Sequence, residues 1–138
     1  MWVAAWLIAG GLLGAGFSHA AYTFKWGART ILGYGLIVAS IIYLPIGVSH
    51  GRPLSWMALE TLGVVVYVVI AFLGMSGSSW WLVAGWITHP FWAIVLHHFG
   101  LGAGFGPYWL TVSSAGFDVL VAVMIMAREG LSPELAQR

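Results

Sequence analysis

The sequence predicts an all-α, polytopic membrane helical bundle of about five transmembrane helices. Three observations predict it. The 138 residues are 61% hydrophobic, only 7% are charged, and the mean hydropathy is +0.95, whereas soluble domains carry about 25% charged residues. Five segments reach the roughly 20 predominantly apolar residues that a bilayer span requires. The links between them (25–29, 50–55, 76–79 and 100–106) suit only an up-and-down arrangement in which each span satisfies its own backbone hydrogen bonds. The apolar and polar alternation of a β-barrel is absent.

The expected spans are 2–24, 30–49, 56–75, 80–99 and 107–127, forming one transmembrane domain (1–127) with a short polar tail (128–138). In the first, Gly10, Gly14 and Ser18 recur every four residues, a small-residue face that lets another helix of the bundle approach closely. Ser18-His19-Ala20 also has the small-residue spacing of a signal-peptide cleavage site. Against cleavage, the segment lacks a basic start, and its loss would leave Lys25, Arg29 and the basic tail outside, inverting the positive-inside rule. The second span is a plain apolar run bounded by Lys25 and Arg29 on one side and Arg52 on the other. The third carries Glu60 about one turn from its outer end, on one face with Gly63 and Tyr67. The fourth contains Pro90, which removes a backbone hydrogen bond to the Trp86 carbonyl and should bend the helix. The fifth places Thr111, Ser114 and Asp118 at i, i+3 and i+7, a polar stripe on one face.

Orientation follows from the basic residues. Lys25, Arg29, Arg128 and Arg138 share one side of five spans, against Arg52 on the other. This predicts a cell inner (plasma) membrane protein with an outside N-terminus and a cytoplasmic C-terminus. Trp26, Trp56, Trp80, Trp81, Tyr108 and Trp109 fall near span ends, where interfacial aromatics belong.

Net charge +1 without a basic cluster excludes nucleic acid as a partner. The absence of cysteine excludes disulfides, thiolate metal sites and a cysteine nucleophile. Attention therefore goes to the ionisable side chains placed in apolar runs, since a charge in hydrocarbon costs roughly 2.5–3.5 kcal/mol even on insertion scales and usually marks function.

On the fourth span His89, Trp92, Ala93, Leu96 and His97 share one side, with Trp86 near them and His98 almost opposite His89. His89 lies ~15 Å from the inner end of its span and Asp118 ~17 Å from the outer end of the next, so their depths coincide in a ~30 Å core. The two spans are antiparallel neighbours, which brings an Asp118–His89 contact within reach. The carboxylate would then fix the imidazole tautomer. Glu60, His97 and His98 form a second, shallower group near the outer surface, while His19 and His50 lie near span ends where solvent reaches them.

Three functional readings fit these residues. In the favoured one, His89 and Asp118 are the catalytic acid–base pair of a small membrane enzyme, isomerase or cyclase in type, acting on an isoprenoid or lipid-like substrate. Trp86 and Trp92 would wall the substrate, and Thr111, Ser114, Glu60, His97 and His98 would complete its binding surface. A second reading is a divalent metal centre from His89, His97, Asp118 or Glu60. It is not favoured, because HxxxH and HxxEH spacings are absent and His89 and His97 stand ~12 Å apart along one helix. A haem pair of His19 and His89 is not favoured either, since the two differ in depth by several ångströms. The third reading is proton or metal-ion conduction past His98, Glu60, Asp118 and His89. A non-catalytic role, with the pair holding two helices together for about 0.6 kcal/mol, also fits. The partners left open are the bilayer, a lipophilic small molecule, a second copy of the chain and a larger membrane complex whose subunit this would be.

Gly85-Trp86, His89, Trp92, His97-His98 and Phe117-Asp118 together resemble a family of small, uncharacterised bacterial integral membrane proteins. The resemblance covers about the last 60 residues. It implies a site on the fourth and fifth spans but no particular reaction. The family pattern has an acidic residue directly after the second Trp, where this chain has Ala93.

Overall fold

The computed structural model describes residues 2–100 and 107–135, with side chains to residue 129. The described residues form helices and short connections, without strands. They are α1 (Trp2–Thr23), α2 (Ala28–Ile41), α3 (Tyr43–Ser49), α4 (Leu54–Ser76), α5 (Ser79–Ile94), a π-helical turn (Val95–Phe99) and α6 (Tyr108–Leu135). Four stretches are long and apolar enough to cross a membrane: Trp2–Thr23, Ala28–Ser49, Leu54–Ser76 and Tyr108–Glu129. Together with α5 and its π turn they make the helical bundle of a multi-pass membrane protein. Ile8, Leu12 and Leu13 are 63–69% exposed, as expected of side chains that face lipid.

Three element boundaries differ from the sequence reading. The second span is two helices, because Pro45 has no N–H for the Ile41 carbonyl and its ring crowds that carbonyl, so the helix gives way at Ile42. Pro90, by contrast, is accommodated within α5, and the irregularity comes five residues later as the π turn. Such turns often mark functional segments. Finally, α6 continues through Arg128 to Leu135, so most of the expected polar tail is helical.

Packing is set by small residues, since in lipid the apolar effect does not drive helix association and close van der Waals contact does. Gly10, Gly14 and Ser18 are buried on one face of α1. A Cβ at Gly14 would come within 2.6 Å of the Phe117 carbonyl, and one at Gly10 would overlap the Ser113 carbonyl. The small-residue face therefore joins α1 to α6 within the bundle. Around the bundle the order is α1, α6, α5, α4, α2, with α2 meeting α1 and α5 only lightly. The wide seam between α2 and the α1–α6 pair becomes the entrance described below.

The interior divides by depth. Toward the end that carries Lys25, Arg29 and Arg128, the core is Leu32, Leu36, Leu82, Trp86, Val121 and Ile125, each at most 1% exposed. Toward the opposite end a second cluster gathers Tyr43, Trp56, Ala93 and Leu96. Nearly all the buried ionisable groups sit in that second half or at its border.

Candidate functional site

α5 and α6 bring His89 and Asp118 together. His89 Nδ1 lies 2.8 Å from Asp118 Oδ2, and the residues are 4% and 1% exposed. With Asp118 ionised, Nδ1–H donates to the carboxylate and Nε2 keeps its lone pair. Tyr67 of α4 holds the imidazole from the side, its ring edge-on at 5.0 Å and 84°. The face that buries Glu60 and Gly63 at helical spacing buries Tyr67 as well, so one stripe of α4 supports both parts of the polar interior.

His89, Ser114 and Asp118 form the polar floor of a cavity of about 560 Å³. Its walls include Phe17 of α1, Tyr34 and Val38 of α2, and Phe117 of α6. Tyr34 is 57% and Val38 65% exposed, so the cavity opens sideways through the α2 seam, a groove that follows α2 from Trp26 and Ile31 near the basic end to Ile42. Below the pair, Phe17, Phe117 and Trp86 pack on one another with ring centroids 5.5–6.2 Å apart. Trp86 is fully buried behind the two phenylalanines that line the cavity.

The remaining candidates fall into two other places. Glu60, His97 and Trp92 make a sealed cluster: His97 Nε2 stands 2.9 Å from Glu60 Oε1, off the line of an ideal hydrogen bond, and Trp92 Nε1 donates to Glu60 Oε2 at 3.3 Å. Tyr43 stacks on His97 at 3.9 Å and 25°. Its hydroxyl pairs with Thr111 Oγ1 at 3.0 Å. His98 points elsewhere, edge-on to Tyr108 at 5.7 Å, into a separate cavity of about 290 Å³ that Thr111 also lines. Of the expected substrate surface, only Ser114 directly shares the cavity with the His89–Asp118 pair, and Trp86 backs it. Trp92, Glu60, Thr111, His97 and His98 do not line it.

Four contributors were missed in the sequence. Phe17 and Tyr34 carry no polar signal of a site. Tyr43 is turned inward by the break before Pro45. Trp56, placed in the interfacial belt by its position near a span end, is fully buried beside His97, with ring centroids 5.9 Å apart. Among the described residues, no three His, Asp or Glu side chains come together as a metal ligand set.

The chain matches no protein family, no curated protein and no solved structure.

Proposed function

We propose that this chain is a small integral enzyme of the cell inner membrane, N-terminus outside and C-terminus cytoplasmic, that carries out acid–base isomerisation or cyclisation of an isoprenoid or lipid-like substrate. The observation that carries the reading is the His89–Asp118 pair on the floor of a cavity that opens sideways through exposed apolar side chains. A water-soluble substrate would have no reason to enter by that route. An olefin dissolved in the bilayer would.

The chemistry needs only a proton. Nε2 of His89, protonated from water before the first turnover and held through Nδ1–H by Asp118, delivers H⁺ to one carbon of a double bond. The N–H and π bonds break, a C–H bond forms and a cation is left on the neighbouring carbon. Loss of H⁺ from an adjacent carbon back to the imidazole, or attack by a second double bond followed by such a loss, ends the reaction with atoms and electrons balanced. General acid–base catalysis of this kind contributes typically 10²–10⁴-fold. The Phe17 and Phe117 rings line the cavity that would hold a transient cation, with Trp86 packed behind them, and each ring facing a desolvated cation is worth about 0.5–2 kcal/mol.

Conduction across the membrane is less well supported. Among the described residues, the packed core between His89 and the basic end is Leu32, Leu36, Leu82, Trp86 and Val121, and the cavity wall that continues toward that end is Ile31 and Trp26, none of them a titratable proton carrier.

The test is to incubate the protein in lipid nanodiscs with a polyprenol and carotenoid mixture and to follow the mixture by chromatography and mass spectrometry. A product of unchanged mass and altered retention, lost in His89→Gln, is the expected result. No mass-neutral product from these substrates or from the native membrane lipids would overturn the reading.

A further inference from the structure

A cavity of about 280 Å³ lies at the basic end of the bundle, one level below the aromatic floor and distinct from the proposed catalytic cavity. The same four helices bound it, through Tyr22 of α1, Arg29 of α2, Ser79 of α5 and Glu129 of α6. Two helices begin at its wall. α2 starts at Ala28 and α5 at Ser79, and the first backbone N–H groups of a helix have no carbonyl partner within it. Both helix dipoles therefore place partial positive charge at this cavity.

Two side-chain observations add to the helix ends. Ser79 is 3% exposed and its hydroxyl meets no hydrogen-bond partner, an unfilled polar position of the kind that a ligand or ordered water normally satisfies. Arg29 is anchored by one donor, Nη1 to the Gly77 carbonyl at 2.7 Å. That bond ties its guanidinium to the turn that precedes Ser79, and a guanidinium carries five N–H donors. Arg128 stays at the same end, 4.9 Å above the Tyr22 ring. Among the described residues, Glu129 is the one acidic group on the cavity. Its carboxylate opposes a bare dianion and favours a ligand that brings its own positive charge.

We infer that this cavity binds a phosphate group carrying a primary amine, the phosphate against Arg29, Ser79 and the two helix starts, the ammonium against Glu129. A phospholipid headgroup and a free phosphoethanolamine share that chemistry. The membrane-interface position of the cavity suits the lipid, whose acyl chains would run up the apolar outer surface of the bundle.

The experiment is native mass spectrometry of the full chain, delipidated in detergent and titrated separately with phosphatidylethanolamine, phosphatidylglycerol, diacylglycerol and free phosphoethanolamine. One phosphatidylethanolamine per chain is expected, bound at least about tenfold more tightly than diacylglycerol, as befits charge-assisted hydrogen bonds. Arg29→Gln should weaken it about tenfold and Ser79→Ala about threefold. Lys25→Gln, at the same end but off the cavity, should leave it unchanged. Glu129→Gln should erase the preference over phosphatidylglycerol. If free phosphoethanolamine displaces the lipid at equal concentration, the soluble ligand is the occupant of the same site. Diacylglycerol binding as well as phosphatidylethanolamine would overturn the assignment. So would unchanged affinity in Ser79→Ala, which removes a single oxygen and decides the matter even if Arg29→Gln does not fold.

Discussion

Replacing Asp118 by Asn separates a catalytic pair from a packing pair, because the side chain keeps its shape and loses only its charge. The Asn carbonyl can still accept from His89 Nδ1 across the 2.8 Å contact. The bond then changes from charge-assisted, about 1.5–3 kcal/mol, to neutral, about 0.5–1.5 kcal/mol. The expected loss of stability is therefore about 1 kcal/mol, close to the average of about 0.6 for polar pairs between membrane helices. The catalytic loss is larger. A neutral amide does not stabilise the imidazolium through which the proton passes, so the rate should fall by roughly 10²–10⁴, or about 3–5 kcal/mol of barrier. The assay is conversion of the lipid pool in nanodiscs alongside the denaturation midpoint of the same preparation. A rate within threefold of wild type, or a loss of folding that accounts for all of the rate change, would refute the catalytic role.

Other perturbations have separable outcomes. Gly14→Leu forces a side chain into the Phe117 carbonyl and should part α1 from α6, with a destabilisation of about 3 kcal/mol or more read from a denaturation titration; a neutral result would mean that the α1–α6 contact is wrong. Ser114→Phe should fill the cavity beside the pair and cut conversion at least about tenfold while the denaturation midpoint moves by less than about 1 kcal/mol, as substitutions into open space do. Glu60→Gln should cost about 1 kcal/mol by weakening the contacts to His97 and Trp92, yet leave the conversion rate within about threefold, since Glu60 does not line the catalytic cavity. A hundredfold loss of rate there would require the two buried pairs to act together.

How much of this was legible depends on which physical signal each residue carries. Long apolar runs made the membrane bundle evident, and the antiparallel depth match of His89 with Asp118 needed only helical rise and short links. Gly10, Gly14 and Ser18 announced a close helix contact, although not that its partner would be α6. What was not legible came from helix irregularity and from apolar residues. The break at Ile42 buries Tyr43; a regular helical phase passes over it, and Pro45 is the one sequence signal that marks it. Phe17, Tyr34 and Val38 wall the cavity but look like any lipid-facing side chains until the seam beside α2 is seen. Trp56 shows the limit of placing aromatics by distance from a span end, because the helix face it occupies turns it to His97 instead of to the headgroups. The expected single binding surface for Glu60, His97, His98 and Thr111 divides for the same reason: depth alone groups them, while helical phase directs them into different spaces.

The most direct test of the proposed proton transfer is to run the conversion in deuterium oxide and locate the label in the lipid product. The expected result is carbon-bound deuterium at the rearranged position, present with the wild-type chain and absent with His89→Gln. A rearranged product without carbon-bound deuterium, or the same labelling with His89→Gln, would contradict it.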